Sequence, residues 1–422
     1  MKKLNKKFDY TWVIVFCCFM MVFTALGFCS SPKQLFLKAV TEALHIPRSL
    51  YSFNTSFRYA TMAIMNILFG TLVYKFKPRK LIAFGFACLT ISTLLYAVAD
   101  NVVLIYLGGI FLGAGLCFTA NTMASYVINA RCPNNTGTIL GFVMASNGLG
   151  GALAMQILDP IIESGKFGYR NAYYLVAIIL TVVGVLVTVL FKDAPNVIPT
   201  QKKVKKTRGQ GWEGISFAEG KKKAYFIPTA ICLFFTGFVL SGINGISVVH
   251  AKDSGLDPTF VANMWSIHSL VLMGSKFLVG FMYDKKGLRT CLLICQVTAV
   301  ISLISLTLLG NNTLGVTMWV VYAIGSTLAL PLETIGVSLV TGDIFGNKEY
   351  GKYLGLMSAL NSIGFAVGDP VMNAVFDAFG SYTIAIWIAV GVIAVTSIAF
   401  QLIVTVAHKD RKKILAQEES NV

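Results

Sequence analysis

Apolar residues along this chain gather into long blocks separated by short polar interruptions, and the blocks have nearly one length. In the first half they fall at Trp12–Ser31, Ser52–Tyr74, Leu81–Ala99, Val102–Asn129, Gly137–Ile161 and Ala172–Phe191. In the second they fall at Tyr225–Val249, Thr259–Tyr283, Leu288–Leu309, Leu314–Val340, Tyr353–Phe376 and Tyr382–Ala407. About twenty apolar residues wound as a helix cross the roughly 30 Å hydrocarbon layer of a bilayer. The pattern therefore predicts an all-α membrane protein with twelve transmembrane helices. The one long polar gap, Lys192–Lys223, falls at the middle. It divides the chain into a six-helix unit over 1–191, a basic linker over 192–223, a second six-helix unit over 224–408 and a tail over 409–422.

Composition agrees: 55% of the 422 residues are hydrophobic, 13% are charged, and mean hydropathy is +0.71. The net charge of +16 would suit a nucleic-acid partner, but its distribution does not. With the N-terminus in the cytoplasm, only Lys33, Lys38, Arg48, Lys166, Arg170 and Lys252 fall in external loops, and Arg58 and Lys276 fall within apolar runs. Every other Lys and Arg of the 35 lies in a cytoplasmic segment. That is the positive-inside bias of a multi-pass protein with both ends in the cytoplasm, and basic clusters there also meet anionic lipid. The compact loops fit a plasma (cell inner) membrane. The first apolar run has a basic approach but no small-residue cleavage site after it, so it is read as a retained anchor. Nine scattered cysteines lack paired or metal-like spacing and are expected to pack as small apolar residues. No metal or cofactor is expected.

The two halves resemble each other. "NNTGTILGFVMASNGLGG" and "NKEYGKYLGLMSALNSIGF" superpose Gly137 on Gly351, Gly141 on Gly355, Asn147 on Asn361 and Gly150 on Gly364. A nearby offset lays "GTLVYKFKPRK" from Gly70 onto "GFMYDKKGLR" from Gly280. Small residues at such spacing let membrane helices pack closely. Their recurrence at a fixed offset points to two pseudo-symmetric six-helix bundles made by duplication.

The segment Gly280-Phe-Met-Tyr-Asp284-Lys285-Lys-Gly287-Leu-Arg289 resembles the G-x-x-x-D-K-x-G-x-R loop motif of the major facilitator superfamily. The first copy keeps Gly70, Lys75, Arg79 and Lys80 but has Tyr74 for the acid and Lys77 for the second glycine. The resemblance implies the major facilitator fold and a transporter that rocks between two states. A carboxylate in the last turn of a helix faces the negative end of the dipole, at a cost of about 0.3–1 kcal/mol. Asp284 therefore needs Lys285, Arg289 or the start of a neighbouring helix, and is expected to act as a latch. Gly280, Gly70 and Tyr74 complete the gating set, with the phenol of Tyr74 making the weaker latch.

An ionisable side chain within a spanning helix costs about 2.5–3.5 kcal/mol and marks a candidate site. Lys276 lies eight residues before Asp284, about 12 Å along the helix, too deep to reach the interface with ease. It is the best place for an anion to meet a fixed positive charge. Arg58 lies in the outer half of its helix, where it would attract anions. Glu333 follows Pro331, a residue that bends spanning helices around cavities; it is the candidate proton carrier, with Lys276 as its cationic partner. Asp159 and Asp369, each before a proline, are read as bends near the outer rim. Asn147, Asn361, Tyr126 and His250 are further pocket candidates.

Lys276 stands four residues before Gly280, where the monocarboxylate transporters and oxalate/formate exchangers carry a substrate-binding cation. The chain resembles that branch there, and also through Asp9 and Trp12 of "FDYTW" and the glycines of "RCPNNTGTILG". It departs from it in having lysine for arginine, Leu272 for an acid one turn earlier, Asn134 and Asn135 for basic residues, and no second buried lysine in the eleventh run. The expected activity is secondary transport of a small organic anion, a monocarboxylate moved with a proton, by a monomer. The alternatives are a drug or metabolite efflux pump and an organic anion exchanger. Intramembrane protease and acyltransferase patterns are missing from the sequence, as is a nucleotide-binding P-loop, so no enzyme is expected.

Overall fold

The structure, a computed structural model, describes residues 10–46, 48–132, 135–165, 167–193 and 212–420. The basic positions from Lys202 to Arg208, together with Asp9, Asn134 and Lys166, lie outside the described residues. The first half comprises α1 (Thr11–Ala25), α2 (Lys33–Leu44), α3 (Arg48–Lys75), α4 (Pro78–Val98), α5 (Val102–Thr119), α6 (Asn121–Arg131), α7 (Thr136–Glu163) and α8 (Gly168–Leu190). A one-turn helix, α9 (Phe217–Gly220), leads to α10 (Phe226–Asp253), α11 (Pro258–Lys286), α12 (Leu288–Thr307), α13 (Thr313–Ala329), α14 (Ile335–Phe345), α15 (Tyr350–Phe379) and α16 (Thr383–Ser420). Among the described residues there is no strand.

Among the described residues, ten helical stretches are long and apolar enough to cross a membrane. The fourth span joins α5 to α6, and the tenth joins α13 to α14 through a tight turn over Leu330–Glu333. The shorter α1, continued by turns to Ser31, and the glycine-rich α15 complete the twelve. The expected fold is the observed one.

Two details escaped the hydropathy pattern. The fourth span breaks at Ala120, where φ is −117° and ψ is −138°, with no proline to announce it. And α2 forms a helix where a loop was expected, closing on His45 in the left-handed region at φ 51°.

The halves are built alike. In the first, α4 packs on α5 and α8, α3 on α5, and α1 on α7 and α8; in the second, α12 packs on α13 and α16, α11 on α13, and α10 on α15 and α16. Each pair has its counterpart across a twofold relation. The fourth and tenth spans even start alike, with the side chains of Asn101 and Asn312 accepting from the amides of Leu104 (3.1 Å) and Gly315 (2.7 Å), a favoured N-cap.

Between the bundles the main pairings are α3 with α15 and α7 with α11, which exchange under that relation. Glycines set both. A Cβ on Gly280 would lie 2.0 Å from the Gly137 carbonyl oxygen, and one on Gly70 would lie 2.5 Å from the Lys352 Cα. Backbone meets backbone at both places, at the end of the molecule that carries the linker. That end is termed inner, after the side that the charge bias predicts for it.

The described part of the linker is docked against the inner end of the second bundle. Ile215 N–H donates to the Phe345 carbonyl at 3.1 Å, and the Glu213 carbonyl accepts from the amides of Asn347 and Lys348 at 3.1 and 2.7 Å. Gly214 (φ 89°) and Gly346 (φ 75°) cross here, a Cβ on Gly346 falling 2.3 Å from the Gly214 Cα. Side chains larger than hydrogen have no room at this crossing.

Candidate translocation site and inner gate

Lys276 is on α11, in the inner half of the eighth span. Gly141 of α7 lets it come close, because a Cβ there would fall 2.5 Å from the Lys276 carbonyl oxygen. Its side chain is buried at 8% exposure. Across from it, the turn at Leu330–Glu333 carries Glu333 out of the regular helix. The two are electrostatic neighbours, and Asp369 is the next charge that Glu333 senses. Yet no ion pair within 4.0 Å joins them, and Glu333 Oε2 is buried without a hydrogen-bond partner. A buried charge left uncompensated costs several kcal/mol. A facing but separated pair is thus set to take up an ion of either sign: an anion at the ammonium or a proton at the carboxylate.

The pseudo-symmetry mate of Lys276 is Asn66, four residues before Gly70 as Lys276 is four before Gly280. Asn66 is fully engaged: its oxygen accepts from Thr122 Oγ1 (2.9 Å) and Cys117 Sγ (3.3 Å), and its nitrogen donates to Ser362 Oγ (3.4 Å). Where the first half has a satisfied amide, the second has a charge. The repeat offset could have found Asn66, and the sequence reading passed over it.

The remaining candidates are scattered. Arg58 donates to Ser30 Oγ at 3.0 Å and lies 4.5 Å over the Tyr59 ring. It lines a void inside the first bundle with Tyr51, Asn54, Tyr96 and Tyr173, of about 30 Å³. Asn147 accepts from Ser31 Oγ at 3.3 Å, and Asn361 donates to the Leu233 carbonyl at 3.0 Å. Both tie neighbouring helices within their own bundles. Tyr126 packs edge-on to Phe69 near Gly351, toward the inner end. His250 bonds the Leu306 carbonyl at 3.0 Å, on α12. None of these four hydrogen-bonds to Lys276 or Glu333. His268, at the repeat position of Arg58, is buried and bonds the Ala323 carbonyl at 2.7 Å.

At the inner end the Asp284 carboxylate sits on the start of α7. It accepts from the amides of Gly137 (3.0 Å) and Thr138 (2.6 Å) and from Thr138 Oγ1 (2.6 Å). These amides are among the free N–H groups at a helix start, where the dipole favours negative charge. Asn135, the N-cap residue, makes no side-chain cap of its own, so a residue of the other bundle supplies it. Of the partners expected for Asp284, the helix start is the one seen at these distances. Arg289 instead donates to Gln401 Oε1 at 3.2 Å, and exposed Lys285 lies 5.7 Å over the Phe281 ring. In the first half Tyr74 is half-exposed, with its hydroxyl in reach of the Gly351 amide and the Lys352 ammonium 6.0 Å over its ring.

Side chains also tie the broken spans below their breaks: Ser338 of α14 donates to Ser125 of α6 at 2.6 Å, and Asn129 of α6 donates to Asn347 at 2.6 Å. The inner end is closed at α3–α15, α7–α11 and α6–α14.

Twin six-helix bundles, tightly packed at one end and holding isolated charges between, define a multi-pass membrane transporter. The model described as Major Facilitator Superfamily matches residues 11–338 and, overlapping these, 229–422, so the chain belongs to that superfamily of secondary transporters and is not an enzyme. It is 23% identical over 394 residues to the MFS-type transporter YcxA of Bacillus subtilis (strain 168), covering 90% of this chain and 93% of that one. To monocarboxylate transporter 2 of Homo sapiens it is 22% identical over 443 residues, covering 97% and 89%. The structure of the E. coli fucose:proton symporter FucP shares its fold with a TM-score of 0.66 at 17% identity, over 94% of this chain and 99% of that one.

Proposed function

We propose that the protein moves a small organic anion, a monocarboxylate, across the plasma membrane together with a proton, with both chain ends in the cytoplasm. Lys276 holds the carboxylate and Glu333 carries the proton. The observation that supports this is the buried Lys276 facing Glu333 with no ion pair between them. The likeness to a human monocarboxylate transporter points the same way.

The charges account for the coupling. One carboxylate brought to Lys276 satisfies the ammonium and leaves Glu333 as a buried negative charge without a counter-ion; one proton on Glu333 removes it. Anion and proton thus load together, and the cycle carries no net charge. Arg58 acts from the outer side, drawing anions toward the entrance.

Uptake into proteoliposomes tests the reading, using monocarboxylates, dicarboxylates, sugars and organic cations with and without an imposed proton gradient. Monocarboxylate uptake should rise with inward proton flow and ignore a clamped membrane potential. Lys276→Ala should abolish it; uptake of every anion at the parent's rate would exclude the anion site. Glu333→Gln should abolish proton-driven accumulation while leaving exchange of anion for anion, and if accumulation persists the proton is carried elsewhere.

A further inference from the structure

The void inside the first bundle has a chemistry of its own. It is walled by residues of α2, α3, α4, α5 and α8 and of the turn after α1, and Arg58 is the one charged residue that lines it. Arg58 stands within the span Phe53–Lys75, where a fixed charge costs about 2.5–3.5 kcal/mol on insertion scales. Arginine keeps its proton there. Among the described residues no carboxylate forms an ion pair with it. Its partners are the Ser30 hydroxyl at 3.0 Å and the Tyr59 ring, and neither carries a charge. Its Nε–H is buried without an acceptor.

The hydroxyls around the void supply a second unused donor. Asn54 and Tyr96 satisfy each other, the phenol oxygen lying 2.8 Å from Nδ2 and 3.1 Å from Oδ1. Tyr51 and Tyr173 are both buried, and their hydroxyl oxygens meet at 3.3 Å. A hydroxyl has one proton to donate. Whichever of the two donates across that contact, the proton of the other has no acceptor among the described residues. An unused buried donor costs about 1–3 kcal/mol, and a buried charge without a counter-ion costs several. A water molecule accepts from both donors but leaves the charge as it is. An anion answers all three.

We infer that this void is a binding site for a small monovalent inorganic anion of the chloride class, held by Arg58 Nε–H and by the spare proton of the Tyr51–Tyr173 pair. One positive charge calls for one negative charge. Two donors between apolar walls that include Phe28 and Phe36 suit a weakly hydrated ion; sulfate or phosphate brings several oxygens, each needing a donor on burial. The ion ties α3, which carries Arg58 and Tyr51, to α8, which carries Tyr173. It is not the cargo. The void is walled throughout by the first bundle, whereas Lys276 and Glu333 belong to the second, so the inference does not rest on the transport reading.

Thermal unfolding of the purified full chain tests it, in gluconate buffer with chloride, bromide, nitrate or sulfate exchanged in at constant ionic strength. The parent's midpoint should climb with the logarithm of chloride concentration once the site begins to fill, and sulfate should leave it near the gluconate value. Arg58→Gln should remove the climb. Either tyrosine alone retains a spare proton, so Tyr51→Phe and Tyr173→Phe should each keep the response, and the double variant should weaken chloride about tenfold. A parent indifferent to chloride overturns the inference, as does a response that sulfate reproduces, that survives Arg58→Gln or that is undiminished in the double tyrosine variant. Lys276→Ala should keep the chloride response; its loss there would put the ion between the bundles and overturn the inference. Failure of the parent to take up monocarboxylates would instead sink the transport reading and leave this site standing. If Arg58→Gln does not fold, anomalous scattering from bromide soaked into crystals of the parent decides: a peak beside Arg58 and the two tyrosines supports the site, and its absence there excludes it.

Discussion

Asp284 caps a helix that is not its own: its carboxylate accepts from both the amide and the hydroxyl of Thr138, each at 2.6 Å. One residue ends α11 of the second bundle and the other begins α7 of the first. The same contact cures two local faults, an acid at the wrong end of its helix and a helix start without a cap. Because it spans the bundles, it can exist only while the inner end is closed.

Asp284→Asn keeps the shape and removes the charge. Hydrogen bonds to a charged group are stronger than neutral ones, so the inner-closed state should lose about 2 kcal/mol, roughly thirtyfold in the equilibrium between states. Cysteine labelling from the inner side, at a position beside α6 such as Asn347→Cys, should speed up accordingly. Labelling at the parent's rate would mean that the carboxylate does not bias the gate.

Gly280 and Gly70 hold the two pseudo-equivalent approaches between bundles. With an added Cβ at 2.0 Å from the Gly137 carbonyl and 2.5 Å from the Lys352 Cα, alanine at either site must push the bundles apart. Overpacking of this kind costs about 1–3 kcal/mol. Gly280→Ala and Gly70→Ala should each favour the inner-open state, and being far apart without shared partners they should add in the double variant. Distances between spin labels on α4 and α12 measure the shift; an unchanged distribution in the double variant refutes the assignment of these contacts to the gate.

Tyr74 stands where the first copy of the loop motif lacks an acid, and the structure shows an acid nearby on another element. Glu349 precedes α15 and pairs with Lys352, whose ammonium also lies 6.0 Å over the Tyr74 ring. A carboxylate introduced by Tyr74→Asp would share that helix start with Glu349 and repel it. The single variant should loosen the inner gate. Combining it with Glu349→Gln should tighten the gate again, so the double-mutant cycle should show a coupling of about 1 kcal/mol. Additive effects on inner-side labelling would show that the two positions do not sense each other.

Much of this was legible beforehand because lipid imposes simple constraints. Helix length and composition set the twelve spans, and the repeat offset set the twofold relation; Gly137, Gly280, Gly70 and Gly351 lie where the offset put them. Pro331 announced the break beside Glu333, while the break at Ala120 has no such marker and came from packing alone. For Asp284 the sequence posed the need for a partner and offered three, and coordinates were required to choose. Polar residues were the hardest. Asn147, Asn361 and His250 look like pocket groups in one dimension, but each finds a local partner. Periodicity reports which residues lie in lipid and says little about which of them are satisfied.

The docked linker should respond to acid. The Glu349 carboxylate takes the Phe217 amide at 2.5 Å and the Lys352 ammonium, and Lys352 first, then that amide, hold its carboxyl below the usual glutamate range. A carboxyl with a depressed folded value contributes stability that is complete above its unfolded pKa, about 4.3, and is lost as pH falls through the folded value. Docking of residues 212–223 should therefore be insensitive to pH from about 8 to 5 and weaken below about 4.3. Hydrogen exchange of this segment, corrected for intrinsic rates, measures it. Glu349→Gln should exchange faster at neutral pH and lose part of the acid response, the remainder belonging to Glu219, whose carboxyl is held down by its bonds to Ser216 in the same segment. If the parent exchanges equally slowly at pH values well below 4, or the variant keeps the full acid step, another contact holds the linker in place.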